Sequence, residues 1–250
     1  MEIVFAGSLP KEKIFPEDNE DLIFVSDDLR RIVVCDGASE SFDSKTWSRV
    51  IKDNFIHSNE ISVSWIEDAL RIYNSQFDFP IMSWSRQAAF ERGSFTTLLG
   101  VNFSQDYSQA KLTAIGDSVV FLLCKGQLVA SFPYHYSDQF RERPTLLSTK
   151  RSANAFDLEF KLVGLSTAEW EIIPSEDVIM LFMTDALGQW ALKSHEDGIP
   201  KWSELCRIRN DAELSALIDR ERESHSMRTD DVSLLHLRLT SSDYYELSDT

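Results

Sequence analysis

The sequence predicts an α+β domain in which a mainly antiparallel sheet is flanked by helices. Short runs rich in β-branched and aromatic residues occur in both halves of the chain, and a block of helical periodicity separates them. The regular alternation of strand and helix that is typical of a parallel sheet is not seen. No linker-like segment or internal repeat divides the chain, so we expect residues 1–240 to form one domain and residues 241–250 an acidic C-terminal tail.

Each predicted element rests on a local pattern. Lys125-Gly126 lies between two apolar runs and is typical of a tight hairpin. Apolar residues at helical spacing predict helices that cover 47–55, 61–73, 84–91 and 202–224. The strand pattern occurs at 21–26, 31–35, 95–103, 111–115, 119–124, 127–132, 178–184 and 232–239.

The charge of the chain excludes several classes of function. The 250 residues include 41 acidic and 25 basic side chains, which gives a net charge of −16. Such a surface repels polyanions, so nucleic acids and anionic membranes are excluded as partners. No run approaches the roughly 20 apolar residues that a membrane span needs. The first five residues show no basic region ahead of their apolar side chains, as a signal peptide would have. We therefore expect a soluble protein that is not exported and has a cytoplasmic location.

Acidic residues lie where predicted strands begin or end. Apolar runs lead directly into three aspartates, which have no Lys or Arg within two residues, and further acids stand at the start of two other strands. An unpaired carboxylate at the rim of a buried sheet is costly to desolvate. Divalent cations would compensate this charge, and oxygen ligands with almost no His or Cys nearby favour Mg²⁺ or Mn²⁺ over Zn²⁺. The residues are Asp36, Asp117, Asp185, Asp230 and the pair Glu20 and Asp21.

A simpler interpretation exists for each of these acids taken alone. Asp36-Gly37 can be a turn, Gly116-Asp117-Ser118 can be a hairpin loop, and Asp230-Asp231 can be a connector between a helix and a strand. Taken together, their common position at strand ends favours a shared site.

Six short segments follow one another over nearly the whole chain, although each by itself is only a few common residues long. The segments are N-E-D-x-x-F-V at 19–25, V-x-D-G within 33–37, G-S-x-T-T-L at 93–98, a V-G-D-S-like turn at 115–118, an S-D-G-L-like segment at 184–187 and a D-N-x-T-like strand start at 229–233. Read in order, they resemble the motifs of one enzyme family, the metal-dependent PPM or type-2C serine/threonine protein phosphatases.

This resemblance implies a fold and an activity. The fold would be two stacked antiparallel sheets flanked by helices, with the carboxylates gathered at one end of the sandwich. The activity would be hydrolysis of phosphoserine or phosphothreonine in a protein partner, opposing a Ser/Thr kinase. A water activated between two divalent cations would attack the phosphorus atom, so no protein nucleophile would be needed.

The resemblance also implies a role for each acid. The cofactors would be two Mg²⁺ or Mn²⁺ ions bridged by Asp36, with Asp117 helping to hold a third, weaker ion. Asp36, Asp185 and Asp230 would be the catalytic residues. The implied metal ligands are Glu20, Asp21, Asp36, the Gly37 carbonyl, Asp117, Asp185 and Asp230.

Departures from the family pattern leave two other functions open. Pro16 stands where the family has an Arg that binds the substrate phosphate, so Lys13 is the predicted, weaker phosphate ligand. Ala38 stands where many members have a His that protonates the leaving group. One alternative is a catalytically weakened module that binds a partner, and the other is an esterase for small phosphate esters. Asp231 replaces an Asn and either strengthens metal binding or faces solvent.

Overall fold

A computed structural model of the chain describes residues 1–58, 60–173, 175 and 177–239. These residues form two five-stranded antiparallel sheets that stack on each other, with helices on both outer faces. The predicted α+β class and the predicted pair of stacked antiparallel sheets are both confirmed. The acidic segment 241–250 lies outside the described residues. No helix in the described ranges is long and apolar enough to cross a membrane.

The strands follow the predicted runs closely. The helices are α1 (Ser44–His57), α2 (Val63–Asn74), α3 (Trp84–Arg92), α4 (Asp185–Glu196), α5 (Trp202–Leu205) and α6 (Asp211–Glu223). The strands are β1 (Glu2–Leu9), β2 (Leu22–Val25), β3 (Arg31–Cys35), β4 (Phe95–Thr96), β5 (Leu98–Phe103), β6 (Gln109–Ile115), β7 (Val119–Cys124), β8 (Gln127–Phe132), β9 (Leu147–Ser148), β10 (Ser166–Glu171), β11 (Val178–Met183) and β12 (Val232–Arg238).

The strand order decides which loops meet. The first sheet runs β1-β12-β11-β7-β8 and the second runs β10-β6-β5-β3-β2. Because β3, β5 and β6 are antiparallel neighbours, the ends of β3 and β6 lie beside the start of β5. In the same way, the end of β11 lies beside the start of β12.

The apolar side chains form three layers. The middle layer lies between the sheets and includes Val34, Leu99, Phe182 and Leu235. One outer layer packs α4, α5 and α6 on the first sheet, and the other packs α1 and α2 on the second sheet. The inner strands are therefore buried on both faces, which explains why β7 and β11 are continuous apolar runs rather than alternating ones. β12 is buried from Val232 to Leu237, although it also contains Ser233 and His236.

The sequence patterns missed three of the main elements. β1 has one buried residue, Phe5, and β10 alternates between half-buried and exposed residues. Both are edge strands and lack the continuous apolar run of the inner strands. The sequence patterns also do not predict α4, the helix that begins at Asp185 and packs tightly on the first sheet. A Cβ at Gly188 would lie 2.4 Å from Val119 Cγ2, so this small residue is what lets α4 approach β7.

One buried histidine should make the free energy of unfolding depend on pH. His236 on β12 is fully buried, and neither ring nitrogen has a hydrogen-bond partner among the described residues. Burial lowers the pKa of His236 to about 4, and Arg209 and Arg238 add to the effect. Since the unfolded chain binds a proton near pH 6.5 and the folded chain does not, this residue lowers the free energy of unfolding as the pH falls from 6.5 to 4.

Replacing this residue should remove that pH dependence. The His236→Leu variant should unfold with a free energy that changes less between pH 6.5 and 4 than in the unchanged protein. The difference at pH 4 should approach about 3 kcal/mol. Urea unfolding at several pH values measures it, and parallel curves for the two proteins would contradict the assignment.

Candidate metal centre

Three aspartates from both sheets meet at one end of the sandwich. The carboxylates of Asp36, Asp117 and Asp185 each offer one oxygen atom, and these atoms lie within 4.8 Å of one another. They follow β3, β6 and β11, whose ends the strand order brings together. Asp230 lines the same cavity, which has a volume of about 220 Å³. We call it the carboxylate cavity; it contains four of the acids that the sequence predicted.

Thr97 fixes the two aspartates of the second sheet. Its hydroxyl accepts a hydrogen bond from the Asp36 amide at 2.8 Å, and its own amide donates to the Asp36 carbonyl at 2.8 Å. The same hydroxyl is 2.8 Å from Ser118 Oγ, beside Asp117. Gly116 has φ +101° and a Cβ there would lie 2.6 Å from Thr97 Cγ2, so only glycine fits this turn. The predicted strand 95–103 breaks at Thr97 because this residue holds the site instead of pairing in the sheet.

Asp185 is the first residue of α4. A helix N-terminus favours a negative charge, which suits a carboxylate at this position. One carboxylate oxygen, Oδ2, forms an ion pair with Arg228, and the other, Oδ1, is buried without a partner among the described residues. An orphaned buried oxygen of this kind marks a place where a further ligand would compensate the desolvation cost.

Asp21 lies directly before β2 of the second sheet, and its carboxylate contacts residues at the ends of strands of the first sheet. Its Oδ2 accepts hydrogen bonds from Ser233 Oγ at 2.8 Å and from Thr184 Oγ1 at 3.0 Å. Its Oδ1 is buried and has no partner in the described part of the chain. Burial raises the pKa of Asp21 to about 7 against the lowering effect of these hydrogen bonds, and the negative charge of Asp231 raises it further.

The other predicted ligands have a less direct relation to the cavity. Glu20 accepts a hydrogen bond from Ser44 Oγ and lines, with Asp21, a neighbouring cavity of about 340 Å³. Gly37 lines the carboxylate cavity, and a Cβ on it would lie 2.8 Å from Ser44 Cβ and 2.9 Å from the Glu20 carbonyl oxygen. Glycine is therefore required where β3 passes the Glu20 backbone.

Asp231 has a structural role that neither sequence interpretation foresaw. Its Oδ1 accepts from the Lys11 amide at 2.7 Å and its Oδ2 from the Glu20 amide at 2.9 Å. The side chain is buried, so it neither faces solvent nor points both oxygens at an ion. Asp231 ties the segment before β2 to the start of β12, and this contact positions Glu20 and Asp21.

The structure corrects the placement of the predicted phosphate ligand. Lys13 Nζ donates to Ser215 Oγ at 2.8 Å and pairs with Asp219, both on α6, and it does not line the carboxylate cavity. Among the described residues, the one cation that lines this cavity is Arg228. The sequence reasoning missed Arg228, whose only signal was its position two residues before Asp230.

The electrostatics of the cavity call for added positive charge. Burial raises the pKa of Asp36 well above its ordinary value, and the negative charges of Asp21, Asp117 and Asp230 raise it further. Burial also raises the pKa of Asp117. Arg228 opposes these shifts but supplies only one charge. An all-oxygen donor set with two orphaned buried oxygens fits hard divalent cations, so the residues present fit the metal ions that the resemblance implied.

Known proteins share the fold of this chain. No family model and no curated protein sequence matches it. The catalytic domain of the serine/threonine protein phosphatase PstP, in complex with two manganese ions, aligns with a TM-score of 0.55 at 18% identity over 93% of this chain and 95% of that one. PppA, a regulatory component of the type VI secretion system in Pseudomonas aeruginosa, gives 0.53 at 19% identity over 94% and 96%.

A third similar structure is the photosystem II phosphatase PBCP. Its TM-score is 0.59 at 13% identity, over 95% of this chain and 99% of that one. At such low identity these likenesses show the fold, and the fold implied by the resemblance to the PPM phosphatases is confirmed.

Removing one cavity charge should separate stability from metal binding. Without metal, the Asp36→Asn variant should melt higher than the unchanged protein, by about 4 °C or more, because a buried charge beside like charges is gone. Added Mn²⁺ should raise the melting temperature of the unchanged protein and leave that of the variant nearly constant.

Differential scanning calorimetry with EDTA and with Mn²⁺ measures both effects. Asp27→Asn, in an exposed turn, is the matched control and should respond to Mn²⁺ like the unchanged protein. An unaltered Mn²⁺ response in Asp36→Asn would contradict the assignment of the cavity as a metal centre.

Proposed function

We propose that this protein hydrolyses phosphoserine and phosphothreonine in protein partners, using a water activated between two divalent cations. The observation that carries the proposal is the meeting of Asp36, Asp117 and Asp185 at one end of a sandwich. Two similar structures support it: PstP, which is named as a serine/threonine protein phosphatase, and PBCP, which is named as a photosystem II phosphatase.

The aspartates of the cavity are the residues that would hold the ions. Asp36 is the candidate bridging ligand, as the resemblance implies, and Asp117, Asp185 and Asp230 line the same cavity. Asp21 and Glu20, from the N-terminal segment, line the neighbouring cavity. Two bound cations would lower the pKa of a shared water, orient it in line with the phosphorus atom and neutralise the charge that develops there. The chain's own contribution is to fix the backbone of Asp36 through Thr97 and the carboxylate of Asp21 through Thr184 and Ser233.

Arg228 is the candidate phosphate ligand in place of the family's Arg. Its guanidinium lines the cavity and pairs with Asp185 Oδ2. If Asp185 ligates an ion, this guanidinium becomes available to donate to a phosphoryl oxygen, with the paired N–H geometry that suits phosphate. The site would then compensate for Pro16 by supplying Arg from the loop before β12 rather than from the segment before β2.

The identity of the ions, the partners and the location of the protein belong to the same proposal. The ions would be Mn²⁺ or Mg²⁺; the solved PstP domain carries two manganese ions. The partners would be phosphoproteins whose phosphorylation a Ser/Thr kinase performs, and the cytoplasmic location stays a prediction. The weakened binding module and the small-ester esterase are the competing functions, and turnover separates them.

Turnover with and without metal tests the proposal. The purified protein should release phosphate from para-nitrophenyl phosphate and from phosphoserine peptides with Mn²⁺ or Mg²⁺, and not with EDTA. Asp36→Asn and Asp185→Asn should each lower kcat at least roughly 100-fold, because each removes a charge on which the reaction depends. Asp27→Asn should keep full activity.

The outcomes distinguish the competing functions. Metal-dependent turnover of peptides supports the proposal, and turnover of small esters alone favours the esterase. Absence of turnover with Mn²⁺ binding intact favours the weakened binding module. Activity that persists in both aspartate variants would overturn the site assignment.

The role of Arg228 predicts a split between binding and chemistry. Arg228→Lys should raise KM for phosphopeptides about tenfold while lowering kcat less, because a point charge replaces a planar pair of donors. Arg209→Lys, whose side chain bonds backbone carbonyls of its own loop, is the matched control. Steady-state kinetics with Mn²⁺ measures both constants, and equal kinetics for the two variants would contradict this role.

A further inference from the structure

A second cavity adjoins the carboxylate cavity and has the opposite charge. It has a volume of about 200 Å³, and three cationic side chains but no carboxylate are among the described residues that line it. We call it the basic cavity. Its composition contrasts with the net charge of −16 of the whole chain. The three cations are Arg141, Lys193 and Arg228.

The two cavities share a wall. Arg228 lines both of them. Phe140 lines the carboxylate cavity, and the next residue, Arg141, lines the basic cavity. Likewise, Asp185 lines the carboxylate cavity, and the next residue, Ala186, lines the basic cavity. Since consecutive Cα atoms are about 3.8 Å apart, the cavities open side by side.

The shared wall is held firmly in place. The Ser137 amide and hydroxyl donate to the two carboxylate oxygens of Glu196 on α4, at 2.7 and 2.5 Å. Phe140 is buried and packs edge-on against Tyr134 with ring centroids 4.8 Å apart. The short helix that carries Arg141 is therefore anchored to α4, and the positive charges are arranged before any ligand arrives.

The cations of the basic cavity are able to take a new partner. Lys193 pairs with Asp197 at 2.6 Å, but both side chains are more than half exposed, and exposed pairs of this kind are weak. Arg141 forms no ion pair with any described residue within 4.0 Å. Gln189 and Ser226 add polar groups to the lining. An anion that enters from solvent would therefore meet two cations, Arg141 and Lys193, that are at most weakly paired within the described residues.

We propose that the basic cavity binds an anionic side chain that flanks the phosphorylated residue of a peptide substrate. The shared chemistry is a carboxylate or a second phosphoryl group. The inference rests on the proposed function, since the phosphoryl group to be hydrolysed must occupy the carboxylate cavity. An extended peptide advances about 3.3 Å per residue, so a neighbouring side chain reaches across the shared wall. The protein therefore selects acidic phosphopeptides in spite of its own negative charge.

Binding of peptides that cannot be hydrolysed tests this site without requiring turnover. Three fluorescein-labelled peptides each carry a phosphonate analogue of phosphoserine. In the Ala peptide every flanking residue is Ala, in the Glu peptide one of them is Glu, and in the bis-phosphonate peptide one of them is a second phosphonate. Fluorescence anisotropy in Mn²⁺ gives their Kd values. The unchanged protein should bind the Glu peptide about tenfold more tightly than the Ala peptide, and added salt should reduce this ratio.

Matched charge reversals assign the preference to the basic cavity. Lys193→Glu and Arg141→Glu should each bring the ratio of the two Kd values close to one. Lys111→Glu is the control, because Lys111 lies on β6, is exposed and also forms an exposed pair, with Glu169 at 3.4 Å. It changes the net charge by the same amount and should keep the ratio.

The outcomes separate this inference from the proposed function. A ratio near one in the unchanged protein, or equal losses in Lys193→Glu and Lys111→Glu, would overturn the basic cavity as a binding site. Tighter binding of the bis-phosphonate peptide than of the Glu peptide would assign the cavity to a second phosphoryl group, and the reverse to a carboxylate. Hydrolysis of the Ala phosphopeptide, measured in parallel, tests the proposed function and does not depend on the ratio.

Discussion

The repulsion between four carboxylates in one cavity is the constraint on which the rest of this structure depends. Asp36, Asp117, Asp185 and Asp230 line a single cavity with one guanidinium to oppose them. Burial and mutual repulsion raise the pKa of Asp36, which means that the folded chain has a standing cost at neutral pH. A fold that keeps such a cost needs a scaffold that prevents the acids from moving apart.

The scaffold consists of small hydroxyl groups rather than counter-charges. Thr97 joins the Asp36 and Asp117 turns, while Thr184 and Ser233 hold Asp21. The Thr184 hydroxyl donates to Asp21 and does not cap α4, although Thr184 is the N-cap residue of this helix. The start of α4 therefore positions an acid of the site rather than satisfying the helix's own amides. Thr184 and Ser233 are neutral donors that hold the Asp21 carboxylate without cancelling its charge, which leaves that charge for an added cation.

The distribution of charge around the shared wall gives the site a direction. Four carboxylates line the carboxylate cavity and three cationic side chains line the basic cavity beside it. Under the two proposals, the first would bind cations before a phosphoryl group and the second would bind an anion directly. Arg228 lines both cavities and pairs with Asp185. Under the proposed function it would turn from Asp185 to a phosphoryl group, and this exchange would couple the two cavities. The negative surface elsewhere would discourage anionic ligands from binding at other places.

The amino-acid sequence alone predicts most of the strands, the fold class and a set of candidate ligands, because each follows from a local pattern: an apolar run, a turn residue or an acid at a strand end. It did not determine which of the acids meet, because Asp36 and Asp185 are 149 positions apart and only the strand order brings β3 and β11 to the same end. It also assigned the phosphate contact to Lys13 by nearness in sequence, and the structure pairs Lys13 with α6 instead. The tertiary structure alone placed Arg228, Asp231 and the basic cavity, because each depends on contacts between segments with no pattern of their own.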